Sequence, residues 1–218
     1  MKNQIPNYYK HTRSELSFFI PEGDNTVLDI GCAAGFFGEN LKKIGKAANV
    51  FGIEGLENVA QEASQKLDLV KVADLESLDF DALKHEWNDV VFDYIVFGDV
   101  LEHLRDPWSI LQASKCFLKP EGKIIISLPN VRHWSVILPL IFKGRWDYGP
   151  HGILDRTHFR FFTKATANDL VKKANLDVEH ISVPIEGKKS KILSKISLGL
   201  LNELLGIQIS VVAKKQNS

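Results

Sequence analysis

Three carboxylates stand where apolar, strand-length runs give way to turns. Asp29 lies at the end of Thr26–Ile30, Glu54 closes Asn49–Glu54, and Asp74 follows Leu69–Ala73. The first is continuous with the loop Asp29-Ile30-Gly31-Cys32-Ala33-Ala34-Gly35. Gly31 and Gly35 free the backbone there and remove side chains that would keep a ligand away. A helix beginning near Phe36 adds free N–H groups and a positive dipole end. Such a loop can hold a phosphate or a carboxylate and by itself selects neither. The acids narrow the choice. Asp29 would repel a pyrophosphate but can face an ammonium group. Glu54, placed after Gly35 at the end of the next strand, can accept from both hydroxyls of a ribose. Asp74 is placed to accept from an adenine amino group, with Leu56 near enough to cover the ring face. One such acid is an ordinary solvated strand end; three on successive strands beside one loop are a site.

A second set of residues can move protons. His103 follows the fourth apolar run, just beyond Gly98, and an imidazole with a reference pKa near 6.5 suits a general base. Glu102 can orient it, and Asp99 can accept from an amino group or anchor its own loop. His133 and His158 lie in a stretch from Val131 to Phe162 rich in aromatic and basic residues, among them Trp134, Phe142, Trp146, Tyr148, Phe159, Arg132, Arg145, Arg156 and Arg160. Either histidine could serve in place of His103. His151 is the third in that stretch, but no His-x-His or His-x₃-His spacing occurs, so no metal site is expected.

The elements that must position these residues alternate in period. Strands are expected at Thr26–Ile30, Asn49–Glu54, Leu69–Ala73, Phe92–Phe97, Lys123–Leu128, Val178–Val183 and Ile207–Lys214. Helices are expected from Phe36 to Ile44, stopped by Gly45, and from Asn58 to Lys66. Another starts at Asp106-Pro107, and another is capped by Thr163. Leu75–Val90 reads as loose, and the stretch from Pro129 to Phe162 as irregular. A basic, Leu-rich helix is expected over 188–205, with Ile192, Ile196, Leu200 and Leu204 near one face, as a lid or dimer face; a seat on an anionic membrane is the less favoured reading. Phe159, Phe161 and Phe162 read as core plugs. This alternation predicts a doubly wound α/β domain.

The 218 residues suit one domain, here 1–218, with 1–25 as an N-terminal cap and 131–162 as a substrate cap. Balanced charge gives no global pull towards nucleic acid or lipid. Locally, Val131–Arg160 carries five Lys+Arg against two acids, and Pro184–Ser218 six against two. These stretches would suit an acidic or sugar-like small molecule. Two cysteines and a polar N-terminus fit a reducing, cytoplasmic setting. A monomer or a homodimer is expected.

Val27–Gly35 resembles the first motif of class I S-adenosylmethionine (SAM)-dependent methyltransferases. Phe51-Gly52-Ile53-Glu54 resembles that family's ribose-binding acid, and Ala73-Asp74-Leu75 its adenine contact. Phe97-Gly98-Asp99-Val100-Leu101-Glu102-His103-Leu104 resembles the motif after strand four in the quinone-biosynthesis type, and Leu154–Thr163 a segment of glycan-associated methyltransferases. Ala33-Ala34 departs from a pattern in which a third glycine is common. The resemblance implies a Rossmann-like seven-stranded sheet of order 3-2-1-4-5-7-6 whose last strand is antiparallel, with helices on both faces. It implies SAM as cofactor, held by Tyr9, Arg13, Asp29, Gly31, Cys32, Ala33, Gly35, Glu54, Gly55, Leu56, Asp74, Leu75, Gly98, Asp99 and Val100. Tyr9 and Arg13, four apart, would share a helix face, with Arg13 pairing the methionine carboxylate. O-methylation of a sugar or glycan precursor is the leading expectation. A quinone-type acceptor, a nicotinamide-dependent oxidoreductase and a non-catalytic SAM-binding module are the alternatives.

Overall fold

The protein is described here from a computed structural model covering residues 13–216. Seven strands form one sheet of order β3-β2-β1-β4-β5-β7-β6. They are β1 Thr26–Ile30, β2 Asn49–Glu54, β3 Leu69–Val72, β4 Phe92–Gly98, β5 Leu118–Pro129, β6 Leu176–Ser182 and β7 Gln208–Lys215. The pairs β3·β2, β2·β1, β1·β4 and β4·β5 are parallel, whereas β7 runs antiparallel to both β5 and β6. The expected sheet is therefore the observed one.

The central strands are covered on both faces, as near-continuous apolar runs require. Their alternation splits the core into two layers. Leu28, Ile30, Ile95, Phe97, Ile124, Ile126 and Val211 belong to one cluster, with Phe80, Trp87, Phe92 and Phe117. Val27, Val96, Ile125 and Val212 belong to the other, with Leu16, Phe37, Leu41 and Val50. Asp29 pairs in register with Val96, so its alternation places it on the second, otherwise apolar face.

The helices are α1 Ser14–Ser17, α2 Phe36–Lys43, α3 Glu57–Ala63, α4 Phe80–Glu86, α5 Pro107–Ala113, α6 Trp134–Lys143, α7 Lys164–Lys173, α8 Lys188–Ile196 and α9 Asn202–Leu205. Gly45 follows the end of α2 at φ +70°, as its place in the sequence predicts. Asp106 caps α5 with Pro107 at its first turn, and Thr163 caps α7 in a capping box with Thr166.

Three expectations change. The stretch 75–90 is not loose: α4 forms there because Asp79 caps it, accepting from Ala82 N–H, and Phe80 and Leu83 bury themselves against the sheet. The stretch 129–162 is not wholly irregular, since α6 forms within it. And 188–205 is not one helix. It breaks at Leu198 and Gly199, both left-handed at φ +50° and +83°, which ends α8. Ile192, Ile196, Leu198 and Leu200 are exposed there. Among the described residues no helix is long and apolar enough to cross a membrane.

Candidate active site

The loop after β1 is built as its glycines predict. Gly31 and Gly35 adopt φ +74° and +78°, and Gly31 and Cys32 N–H groups both donate to the Ile53 carbonyl at the tip of β2. A Cβ on Gly31 would stand 2.4 Å from Val100 Cγ2, and one on Gly35 would meet the α3 backbone at Ala63. The position where a third glycine is common is Ala33, which takes φ +48° and bears the strain itself. Glu54 steadies it: its carboxylate accepts from Ala33 N–H at 3.0 Å and Leu56 N–H at 2.9 Å.

This loop forms the floor of a cavity of about 740 Å³ at the carboxyl edge of the sheet. Gly31, Ala33, Glu54, Gly55, Leu56, Asp74, Leu75, Gly98, Asp99, Val100, Arg13 and His103 line it. Most of the residues expected at the cofactor therefore come together. Four carboxylates, Glu54, Asp74, Asp99 and Asp155, and two guanidinium groups, Arg13 and Arg156, are among its lining. Arg13 is already paired with Asp99. Burial pushes the Asp99 carboxyl up, but Arg13, Ser127 Oγ at 2.7 Å and Gln208 Nε2 at 3.1 Å outweigh it and hold it below the usual range. In this state Arg13 neutralises an acid of the loop; its own backbone is left-handed at φ +42°, outside α1. Tyr9 lies outside the described residues.

Asp29, Cys32 and Gly35 do not line the cavity. Gly35 is the N-cap of α2, and Cys32 is buried with its Sγ within 2.6 Å of where a Cβ on Gly52 would stand. Both shape the loop from beneath. Burial pushes the Cys32 thiol far up, so it is inert. Asp29 is 4 % exposed, and burial raises its carboxyl to about 7 against the pull of Arg13 and with the push of Glu54. A carboxyl raised from 3.8 favours the folded state while it is protonated and loses that contribution as pH climbs through 7. Asp29→Asn is thus expected to raise the Tm of the ligand-free chain at pH 8 but not at pH 4. The gain should be at most ~4 kcal/mol, read by thermal melts at both pH values. Equal effects at the two pH values would contradict the assignment.

A second cavity of about 730 Å³ adjoins the first and shares Arg13, Asp99, Pro150 and Asp155 with it. Glu102, His158, Gln208, Pro129 and residues 151–153 are among the rest of its wall. His103 and His158 meet where the two cavities join, their rings T-shaped with centroids 4.6 Å apart. The chain brings them together through the backbone. Phe159 and Arg160 N–H groups both donate to the Glu102 carbonyl, at 2.8 and 3.0 Å, pinning 155–160 onto the 3₁₀ turn Leu101–His103. Thr157 Oγ1 donates to Asp155 at 2.8 Å, so towards His103 it can only accept. His103 Nδ1, 3.1 Å from that hydroxyl and 3.3 Å from the Thr157 carbonyl, therefore carries its ring proton. Burial, then the neighbouring His158, lowers the His103 pKa. Burial, then Asp99, raises Glu102 well above the usual range.

His133 goes elsewhere. It is the N-cap of α6, with Nδ1 2.7 Å from Ser135 Oγ, and lines neither cavity. Its place is set by helix capping, apart from the other two histidines. Phe162 is buried as expected, but Phe159 is 57 % exposed beneath the Arg105 guanidinium and is no core plug. Asp155, Thr157 and Gln208 were not singled out from the sequence. The first two lie within the quoted segment Leu154–Thr163, which was the available signal; nothing local marks Gln208.

A methyltransferase-domain family model matches residues 1–181. The ubiquinone biosynthesis O-methyltransferase of Colwellia psychrerythraea is 31 % identical over 125 residues, 54 % of this chain and 47 % of that protein. The protein so named from Hydrogenovibrio crunogenus is 28 % identical over 164 residues, 70 % of this chain and 62 % of its own length. The chain thus spans about half to three-fifths of these relatives. Among solved structures, a SAM-dependent methyltransferase from Archaeoglobus fulgidus superposes with a TM-score of 0.64 at 21 % identity, covering 93 % of this chain and 92 % of that one. One from Mesorhizobium loti does so at 0.63 and 17 % identity, covering 93 % and 96 %. With the family model covering most of its length and the sheet in the order that fold requires, this chain belongs to the methyltransferase-domain family.

Proposed function

We propose that the chain transfers a methyl group from SAM to a hydroxyl oxygen of a small acceptor of quinone-type, hydroxyaromatic chemistry. The observation that carries the reading is the junction of two cavities at one histidine pair, with the cofactor loop on one side and a second space on the other. A carboxylate-rich first cavity fits a cationic sulfonium with an ammonium tail and opposes a pyrophosphate, which argues against a nicotinamide dinucleotide. SAM, when bound, supplies an activated methyl group for in-line displacement, so alignment and exclusion of water fall to the protein.

Glu54 accepts from the ribose hydroxyls and Asp74 from the adenine amino group, while Leu56 and Leu75 cover the ring. Gly31, Gly55, Gly98 and Val100 leave room for the ligand backbone, and the Arg13–Asp99 pair meets its amino-acid end. The acceptor enters the second cavity and loses its hydroxyl proton at the His103–His158 pair. The names of the curated relatives support oxygen and a quinone-type ring. The sugar-precursor reading keeps one observation in its favour, Arg156 of the basic cap on the wall of the first cavity. Residues 131–162 act as the substrate cap, and the exposed apolar face of α8 acts as a lid or a homodimer contact.

In a thermal-shift assay S-adenosylhomocysteine is expected to stabilise the chain and NAD to leave it unchanged. With labelled SAM, a catechol should acquire label on oxygen. A shift with NAD but not with S-adenosylhomocysteine would overturn the reading.

A further inference from the structure

Glu102 is 1 % exposed, and among the described residues neither of its carboxylate oxygens meets a hydrogen-bond donor. A buried carboxylate without a partner is strongly unfavourable unless something neutralises it. One ligand atom each from Glu102, His103 and His158 lies within 4.8 Å of the others. Both rings are oriented from behind. His103 Nδ1 is committed to Thr157, and His158 Nδ1 donates to the Ile153 carbonyl at 3.0 Å. In the neutral rings both lone pairs are therefore on Nε2. Fixing the tautomer through the second ring nitrogen is how metal-ligating histidines are prepared.

We propose that Glu102, His103 and His158 bind one first-row divalent cation at the junction of the two cavities. Two imidazoles and a carboxylate suit Zn²⁺, Mn²⁺, Fe²⁺ or Co²⁺ better than Mg²⁺ or Ca²⁺, which favour oxygen. Bond lengths of about 2.0–2.2 Å need donor atoms somewhat closer than they stand, a small rotation of the side chains. Three protein ligands leave positions open, as in catalytic rather than closed structural sites. His103 borders the first cavity, and Glu102 and His158 the second, so an open position faces the acceptor. The absence of a local His spacing does not bear on this site, because its histidines are more than fifty residues apart in sequence.

The role of the cation rests on the proposed methyl transfer. Bound there, the cation would lower the pKa of an acceptor hydroxyl, whose proton would leave to solvent. The oxygen lone pair then forms the C–O bond to the methyl carbon. The C–S bond breaks as it does, and its electron pair returns to sulfur, leaving the neutral thioether. With the cation bound, His103 and His158 would hold it rather than take the proton themselves; without it the pair is the base of the proposed reaction.

The test uses the full chain, stripped with a chelator and titrated with Co²⁺ while visible absorption and heat are followed. One equivalent should bind per chain with a d–d band. Glu102→Gln and His158→Ala should each weaken binding by roughly 10²-fold or more, beyond the 10–100-fold typical of outer-shell partners. S-adenosylhomocysteine binding by the same variants should be unchanged, showing that they are folded. No stoichiometric uptake by the parent, or uptake that survives both substitutions, overturns the site. Co²⁺ uptake without S-adenosylhomocysteine binding would leave the site standing and remove the methyl-transfer reading. Chelator-insensitive methyl transfer without Co²⁺ uptake would do the reverse.

Discussion

Glu54→Ala is expected to weaken S-adenosylhomocysteine binding by roughly 10²-fold or more while the chain stays folded. Hydrogen bonds to a charged group contribute about 1.5–3 kcal/mol each, and a ribose offers two. The residue also acts on the loops themselves, because its carboxylate accepts from Ala33 N–H on one and Leu56 N–H on the other. Ala33 holds a left-handed backbone that an L residue rarely adopts. Losing its acceptor lets that strain relax away from the binding geometry. Glu54→Gln keeps the shape and one acceptor oxygen and should fall between the two. Calorimetric titration measures all three. An affinity for Glu54→Ala equal to the parent's would take the ribose away from this residue. Because Glu54 is at the solvent-facing tip of β2, the Tm without ligand should change little.

His103→Ala is expected to lower turnover by about 10²–10⁴-fold, the usual contribution of a positioned proton-transfer group, while S-adenosylhomocysteine still binds. His158→Ala should act in the same direction, since the two rings share one space. His133→Ala is the contrast: it removes a helix cap, for about 1 kcal/mol of stability, and should leave turnover near the parent's. Single-turnover kinetics with labelled SAM separates these cases. A fully active His103→Ala would move the chemistry off this junction. The pH dependence follows in sign. His103 has a pKa below its ordinary value, because burial and then His158 disfavour the charged ring. The neutral ring is the active form whether it takes a proton or holds a cation. The rate should therefore be on its plateau at neutral pH and fall only as pH drops through that lowered value.

The cofactor side of the site was legible in the sequence because its chemistry is local. Gly31, Glu54 and Asp74 are strand-end residues, and an apolar run followed by glycine or an acid indicates both the strand and its edge. Parallel pairing then brings those ends to one side of the sheet, with no further information needed. The same locality explains the caps at Asp106 and Thr163. It fails at Asp29 and Cys32, which match the motif but are turned away from the cavity, Asp29 into the apolar layer on the far face of β1 and Cys32 beneath the loop. It fails at 75–90 and 131–143 because α4 and α6 are stabilised by a cap and by what they pack against more than by their own periodicity.

The acceptor side depended on the tertiary structure. His103, His133 and His158 have equal standing as types in a sequence, and spacing alone argues against a metal. What separates them is a pair of backbone hydrogen bonds from Phe159 and Arg160 to Glu102, which carries His158 onto His103 and leaves His133 capping a helix. The sequence by itself determined the sheet, the loop and the carboxylates around a cationic cofactor, because each is set by residues near one another along the chain. Only the folded chain decided which histidines meet, and that a buried Glu102 without a donor among the described residues stands beside them. A contact across more than fifty residues is fixed by packing and by where backbone groups find partners, and neither is written in local spacing.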